Sequence, residues 1–162
     1  VENFTLILAD ATEWVRIGES VILQSGRCLA RRELEDARLA GVQNSAKIRV
    51  LTVPANPQPK REPLAKANQL VQLITEGSTG LTLNYGIYIK QGYEHDRRLL
   101  VHEFVHVAQF ERLGGIEGFL REYLMECLRH GYHYSPLEQE SDELSRTIVA
   151  GLQPAFARKP KT

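Results

Sequence analysis

The segment RRLLVHEFVHVAQFERL, Arg97 to Leu113, leaves this chain few ways to fold. Its apolar residues run nearly all round a helix of 3.6-residue period, so it belongs in the interior with other elements packed on most sides. Asp96 is a good N-cap for it, and Gly114 and Gly115 terminate it. From Leu99 to Ala108 three polar groups interrupt the apolar surface: His102, Glu103 and His106. A glutamate and two imidazoles buried without partners would cost several kcal/mol, so something has to organise them. Residues at i and i+4 lie one turn apart on one face, so His102 and His106 can aim ring nitrogens at one point. Glu103 is rotated from them by about 100°.

The elements around this helix read as α+β, mostly helical, with a small sheet preceding the HExxH helix. From Asn3 to about Ala40 apolar residues recur at three- and four-residue intervals, which predicts two helices within an N-terminal part spanning 1–45. KIRVLTV, Lys47 to Val53, reads as a strand stopped by PANPQP. Pro63 opens a helix whose stripe is Leu64, Ala67, Leu70, Val71 and Ile74, ended by Gly77 and Gly80. GLTLNYGIYIKQG is either a tight hairpin or one bent strand. A helix from about Ile116 to Arg129, the stretch HGYHYS, and a last helix from Pro136 to about Leu152 complete the pattern. Residues 153–162 read as a loose tail.

At 162 residues the chain has the length of a single domain with a real core, and no composition shift divides it. Twenty basic residues balance twenty acidic ones, so no global field draws nucleic acid or an anionic membrane. No apolar run is long enough to span a bilayer. Cys28 and Cys127 lack CxxC spacing, which leaves one bridge open and argues against a thiolate metal site. The expected setting is soluble and cytoplasmic. A processed or exported form stays open, because the chain begins at Val1.

HExxH on a helix suits a zinc hydrolase. Neutral imidazoles ligate Zn²⁺, a third protein ligand leaves the fourth position to water, and the ion lowers that water's pKa to about 7. Glu103 then serves as general base. The third ligand should come from SPLEQESDE, where Glu138 and Asp142 share a helix face and Glu140 lies about 200° from Glu138. Both glutamates flank the apolar stripe Leu137, Leu144, Ile148 and Leu152 by similar angles, so helical geometry does not choose between them. Glu138 has a competing use, since Ser135, Pro136 and Glu138 form the pattern of a capping box. Asp142 is placed to accept the N–H of a ligating histidine. Glu140, Asp142 and Glu143 also read as solvated acids of a helix's first turns.

The motifs HEFVH and EQESD resemble those of the gluzincin zinc metallopeptidases, the thermolysin-like superfamily. The longer phrases HEFVHVAQFERLGG and GYHYSPLEQES are similar to a group of largely uncharacterised bacterial HExxH proteins whose second motif reads PLExEA; Ser141 stands where that group has alanine. The resemblance covers about Gly80 to Gly151 and is closest to minimal, single-domain minigluzincins. It implies a zincin-like fold, His102, His106 and Glu138 as zinc ligands, Glu103 as general base, and Asp142 as the partner of a ligand histidine. It also implies a peptide or protein substrate laid along the strand before the HExxH helix.

An oxyanion donor would come from His130, Tyr132, His133 or Tyr134, close in sequence to Glu138. Tyr85 and Tyr88 read as ordinary strand residues, and Gln109 and Arg112 as bonding neighbouring segments. The N-terminal helices read as core rather than as a covering pro-segment. Two functions stand: a zinc-dependent metallopeptidase, or a non-catalytic binding or interaction module that uses the metal structurally. Glu103 favours the first, because a purely structural site does not need it.

Overall fold

Alternation in one short strand sets the layers of the molecule. In GIYIK, Ile87 and Ile89 enter one buried cluster, while Tyr88 enters another on the opposite face of the sheet. The computed structural model describes residues 2–71 and 77–154. Its elements in order are α1 (Glu2–Ser25), β1 (Arg27–Cys28), α2 (Arg31–Leu39), β2 (Arg49–Val53), α3 (Leu64–Val71), β3 (Gly80–Leu83), β4 (Gly86–Lys90), α4 (Arg97–Arg112), α5 (Ile116–His130) and α6 (Pro136–Val149). Short 3₁₀ turns cover Ser45–Lys47 and Tyr132–Tyr134. The fold is α+β, with one four-stranded sheet ordered β1-β2-β4-β3.

The β2–β4 pair is parallel, and the other two pairs are antiparallel. A parallel neighbour needs a crossover, here the segment that contains α3. The hairpin reading of β3 and β4 holds: Leu83 faces Gly86 across a turn in which Asn84 adopts φ 58°, a conformation asparagine tolerates. Glu19 of α1 fixes that turn by accepting from Asn84 Nδ2 and the Tyr85 amide.

One sheet face packs on α4, with α2 and α6 completing the cluster of Ile48, Val50, Ile87, Val101, Phe104 and Val105. The other face packs on α1 and α5 through Leu8, Val15, Ile22, Leu83, Tyr88 and Phe119. Asp96 caps α4 as its sequence indicates, accepting from the Leu99 amide at 3.0 Å. A bidentate pair from Arg97 to the buried Asp36, both contacts 2.9 Å, ties the same end of α4 to α2.

The differences from the sequence reading are local. The strand begins at Arg49, after a 3₁₀ turn, and Arg27–Cys28 adds a two-residue strand too short and too exposed to leave a pattern. Gly80 opens β3 instead of ending the preceding helix. The α6 helix ends at Val149, where Ala150 is its C-cap, so Leu152 lies beyond it. Ile74 and residues 155–162 of the expected tail lie outside the described residues. Cys28 is exposed, Cys127 is buried, and both are free. No helix among the described residues is long and apolar enough to cross a membrane.

Candidate metal centre

The site forms where α4 packs on α6, and the start of α6 sets its register. Ser135 Oγ and the Leu137 amide both donate to Glu126 Oε2 of α5, at 2.8 and 3.1 Å. Glu126 therefore holds the end of α6, the Ser135 side chain makes no cap bond within the helix, and the capping-box use of Glu138 does not arise. That leaves the Glu138 carboxylate for the interior, where Tyr123 donates its hydroxyl to Oε1 at 2.7 Å.

Three donor atoms then converge. His102 Nε2 and His106 Nε2 are 3.2 Å apart, Glu138 Oε1 lies 3.2 Å from His106 Nε2, and Glu138 Oε2 lies 3.4 Å from His102 Nε2. Tetrahedral ligands about 2.0–2.1 Å from a zinc ion stand about 3.3 Å from one another, so this triangle has the edge such an ion requires. Among the described residues these three form the group able to hold a metal ion.

The other ring nitrogens are committed elsewhere. His102 Nδ1 lies 3.2 Å from Asp142 Oδ1, and His106 Nδ1 lies 2.8 Å from Gln109 Oε1. A carboxylate and an amide oxygen only accept, so Nδ1 is the donor atom of each ring, and when a ring is neutral its lone pair turns inward at Nε2. Two lone pairs and a carboxylate facing one another call for a cation. The electrostatics agree in direction. Burial favours neutral His106, but the Glu138 and Glu103 carboxylates outweigh it and raise its pKa. Burial likewise pushes the Glu138 carboxyl up, and the two imidazoles with the Tyr123 hydroxyl overcome this and hold it well below the usual carboxylate range.

Glu103 occupies a separate position on α4 and turns to the sheet. Thr82 Oγ1 of β3 donates to Glu103 Oε2 at 2.6 Å and lies 3.2 Å from the Glu103 carbonyl oxygen. Thr82 faces Ile87 across the ladder, which is why its side chain points to α4 while Leu81 and Leu83 point away. Gly80 is needed beside it, because a Cβ there would run into the Glu103 carboxylate. Glu103, His102, His106, Glu138 and Asp142 open into one cleft of about 510 Å³, walled by β3, α3, α5 and the α1 residues Ala11, Trp14 and Val15. Thus α1 contributes to the core and to the cleft wall together.

Glu140 goes elsewhere: it meets Arg112 in a bidentate pair with both contacts 2.8 Å, and lies 3.2 Å from Gln109 Nε2. Of the four oxyanion candidates, Tyr132 lines the cleft, whereas His130, His133 and Tyr134 are exposed and do not. Burial, then the charges of Glu138, Glu103 and Asp142, raise the Tyr132 pKa and keep its hydroxyl a proton donor. Tyr88 is buried in the core as an ordinary strand residue, whereas Tyr85 lies in the β3–β4 turn and not in a strand, and gives its hydroxyl to Glu111. Sequence reasoning missed Tyr123 and Thr82 and left Gln109 without a role. Gln109 had a signal, being a polar residue one turn past His106 on an otherwise apolar helix. Tyr123 and Thr82 had none, since their partners are far off in the chain. No protein-family model, curated protein or solved structure matches the chain.

Proposed function

We propose that the chain is a zincin-like, zinc-dependent hydrolase, and that its substrates are peptides or proteins. The observation that supports this most is the triangle of His102 Nε2, His106 Nε2 and Glu138, with edges of 3.2–3.4 Å and both Nδ1 atoms set against acceptor oxygens outside it. Imidazole and carboxylate are the donors zinc takes in catalytic sites, with one position left open. Bound there, zinc supplies Lewis-acid polarisation and lowers the pKa of a coordinated water to about 7.

The chain's own residues do the rest. Glu103 accepts a proton from water on its carboxylate as the oxygen attacks the amide carbon, then delivers it to the departing nitrogen as the C–N bond breaks. The Thr82 hydroxyl holds that carboxylate in place. Tyr132 donates its hydroxyl to the developing oxyanion. β3 is the edge strand of the sheet on the cleft side, and it holds an extended substrate backbone through main-chain hydrogen bonds.

Metal analysis of protein purified without added zinc, paired with Glu103→Gln in a broad peptide-cleavage assay, tests the proposal. Stoichiometric zinc and activity that disappears in Glu103→Gln are expected. Absence of metal, with His102→Ala leaving stability unchanged, would end the metal reading. Zinc binding with no cleavage by wild type or variant would end the peptidase reading and favour a structural metal.

A further inference from the structure

We infer that Gln109 is a positioning residue for the metal, and that the Arg112–Glu140 ion pair holds Gln109 in register for that task. The inference rests on reading His102, His106 and Glu138 as a metal site and does not depend on peptide cleavage. Gln109 is fully buried, so each end of its amide must find a partner. Its Nε2 faces the Leu137 carbonyl at 2.9 Å and Glu140 Oε2 at 3.2 Å, two groups that only accept. The NH₂ must lie on that side, and Oε1 therefore faces His106 Nδ1 at 2.8 Å.

Rotating the amide by half a turn would set its oxygen against a carbonyl and a carboxylate. It would also drive the His106 proton to Nε2, the atom aimed at Glu138 and His102. Ser141, where the similar bacterial group has alanine, reinforces the arrangement. Its hydroxyl donates to the Leu137 carbonyl at 3.0 Å, which leaves its lone pairs toward His106 Nδ1 and Gln109 Nε2, both at 3.4 Å.

Each histidine thus has its own tautomer lock. His102 uses Asp142, whose side chain is half exposed, and His106 uses a neutral amide sealed in the core. Arg112 reaches Glu140 across the α4–α6 seam with two bonds of 2.8 Å, a paired geometry that fixes Glu140 and through it the amide. A half-exposed ion pair is in this way connected to a ligand it does not touch.

The test is zinc affinity by chelator competition, together with ¹⁵N NMR of the histidine rings. Gln109→Met should weaken zinc by about 10–100-fold, the range for lost outer partners of a ligating histidine. Glu140→Gln, one bond further out, should weaken it by roughly two- to fivefold. In wild type His106 should carry its proton on Nδ1, and in Gln109→Met the two tautomers should mix. Asp36→Asn, destabilised at a pair that touches neither the ligands nor their partners, should keep wild-type affinity, which separates positioning from general loosening. Zinc affinity within twofold of wild type in Gln109→Met, or a neutral wild-type His106 ring with its proton on Nε2 and none on Nδ1, would overturn the inference. The wild-type ring measurement decides even if Gln109→Met does not fold. A wild type that binds no zinc would remove the metal reading itself, a result distinct from zinc bound equally well with and without Gln109.

Discussion

Exchanging the two rival carboxylates one at a time puts a number on the site. In Glu138→Gln the variant amide keeps a carbonyl oxygen to accept the Tyr123 hydroxyl, which is 2.7 Å from Oε1 in the native chain, so the metal-free fold should lose no more than about 1 kcal/mol. Zinc loses an anionic ligand. Four-ligand structural zinc sites bind with about 10–16 kcal/mol, roughly 2.5–4 kcal/mol for each ligand, so the variant should bind about 10²–10³-fold more weakly. Glu140→Gln breaks a pair whose side chains are 53% and 37% exposed, worth about 0.5–1 kcal/mol of stability after solvent screening. Its effect on zinc should stay at roughly two- to fivefold, because Glu140 touches only the partner of a ligand. Competition against a chromophoric chelator measures both affinities, and urea unfolding of the metal-free proteins checks the folds. Equal losses, or a larger loss in Glu140→Gln, would refute the assignment of Glu138 to the triangle's third corner.

Three further outcomes follow from the same structure. Asp36→Asn leaves the Arg97 guanidinium without its buried partner, and because Arg97 is one third exposed the cost should be about 2–3 kcal/mol, read from the urea midpoint. Gly80→Ala should retain zinc and lose at least roughly tenfold in peptide turnover, because the added methyl displaces the Glu103 carboxylate and no ligand. Glu111 accepts from the amides of Gln43 and Asn44, from Asn44 Nδ2 and from the Tyr85 hydroxyl. Burial pushes its carboxyl up, but these donors prevail and lower it, so its contribution is full above the unfolded carboxyl pKa of about 4.3 and is lost as pH falls through the lower folded value. The stability gap between wild type and Glu111→Gln should be about 1 kcal/mol at pH 7 and should close toward pH 3, measured by denaturant unfolding across that range.

What could be read from the sequence was whatever a single element decides. The buried helix with its cap at Asp96, and the shared face of His102 and His106, follow from one periodicity. Glu138 and Asp142 also share a face by spacing alone, and the structure sets both against histidine rings on α4. The choice between Glu138 and Glu140 was not legible, because each flanks the apolar stripe equally and the decision belongs to the opposing helices. Arg112 on α4 takes Glu140, Tyr123 on α5 receives Glu138, and neither pairing has a local signature.

The capping pattern at Ser135 shows the same logic in reverse. Locally it satisfies every rule for a capping box, yet Glu126, nine residues upstream on α5, reaches the helix end first. Had Glu138 closed its own box, its carboxylate would point back along α6 and the triangle would lack its anion. Glu126 thereby does for Glu138 what the Arg112–Glu140 pair does for Gln109: a carboxylate that touches no ligand nitrogen decides which way another side chain may turn. His102 on α4 is steered by Asp142 of α6 and Glu138 on α6 by Glu126 of α5, while the partner of His106, Gln109, lies on α4 itself and is held by groups of α6. Losing Glu126 should therefore weaken zinc by more than its distance from the triangle suggests. In Glu126→Gln the Ser135 hydroxyl and the Leu137 amide keep a neutral acceptor and affinity should hold within a few-fold, while in Glu126→Ala Glu138 is free to cap and affinity should fall by about tenfold or more. Equal affinities for the two variants, by the same chelator competition, would show that the α6 terminus does not govern the site.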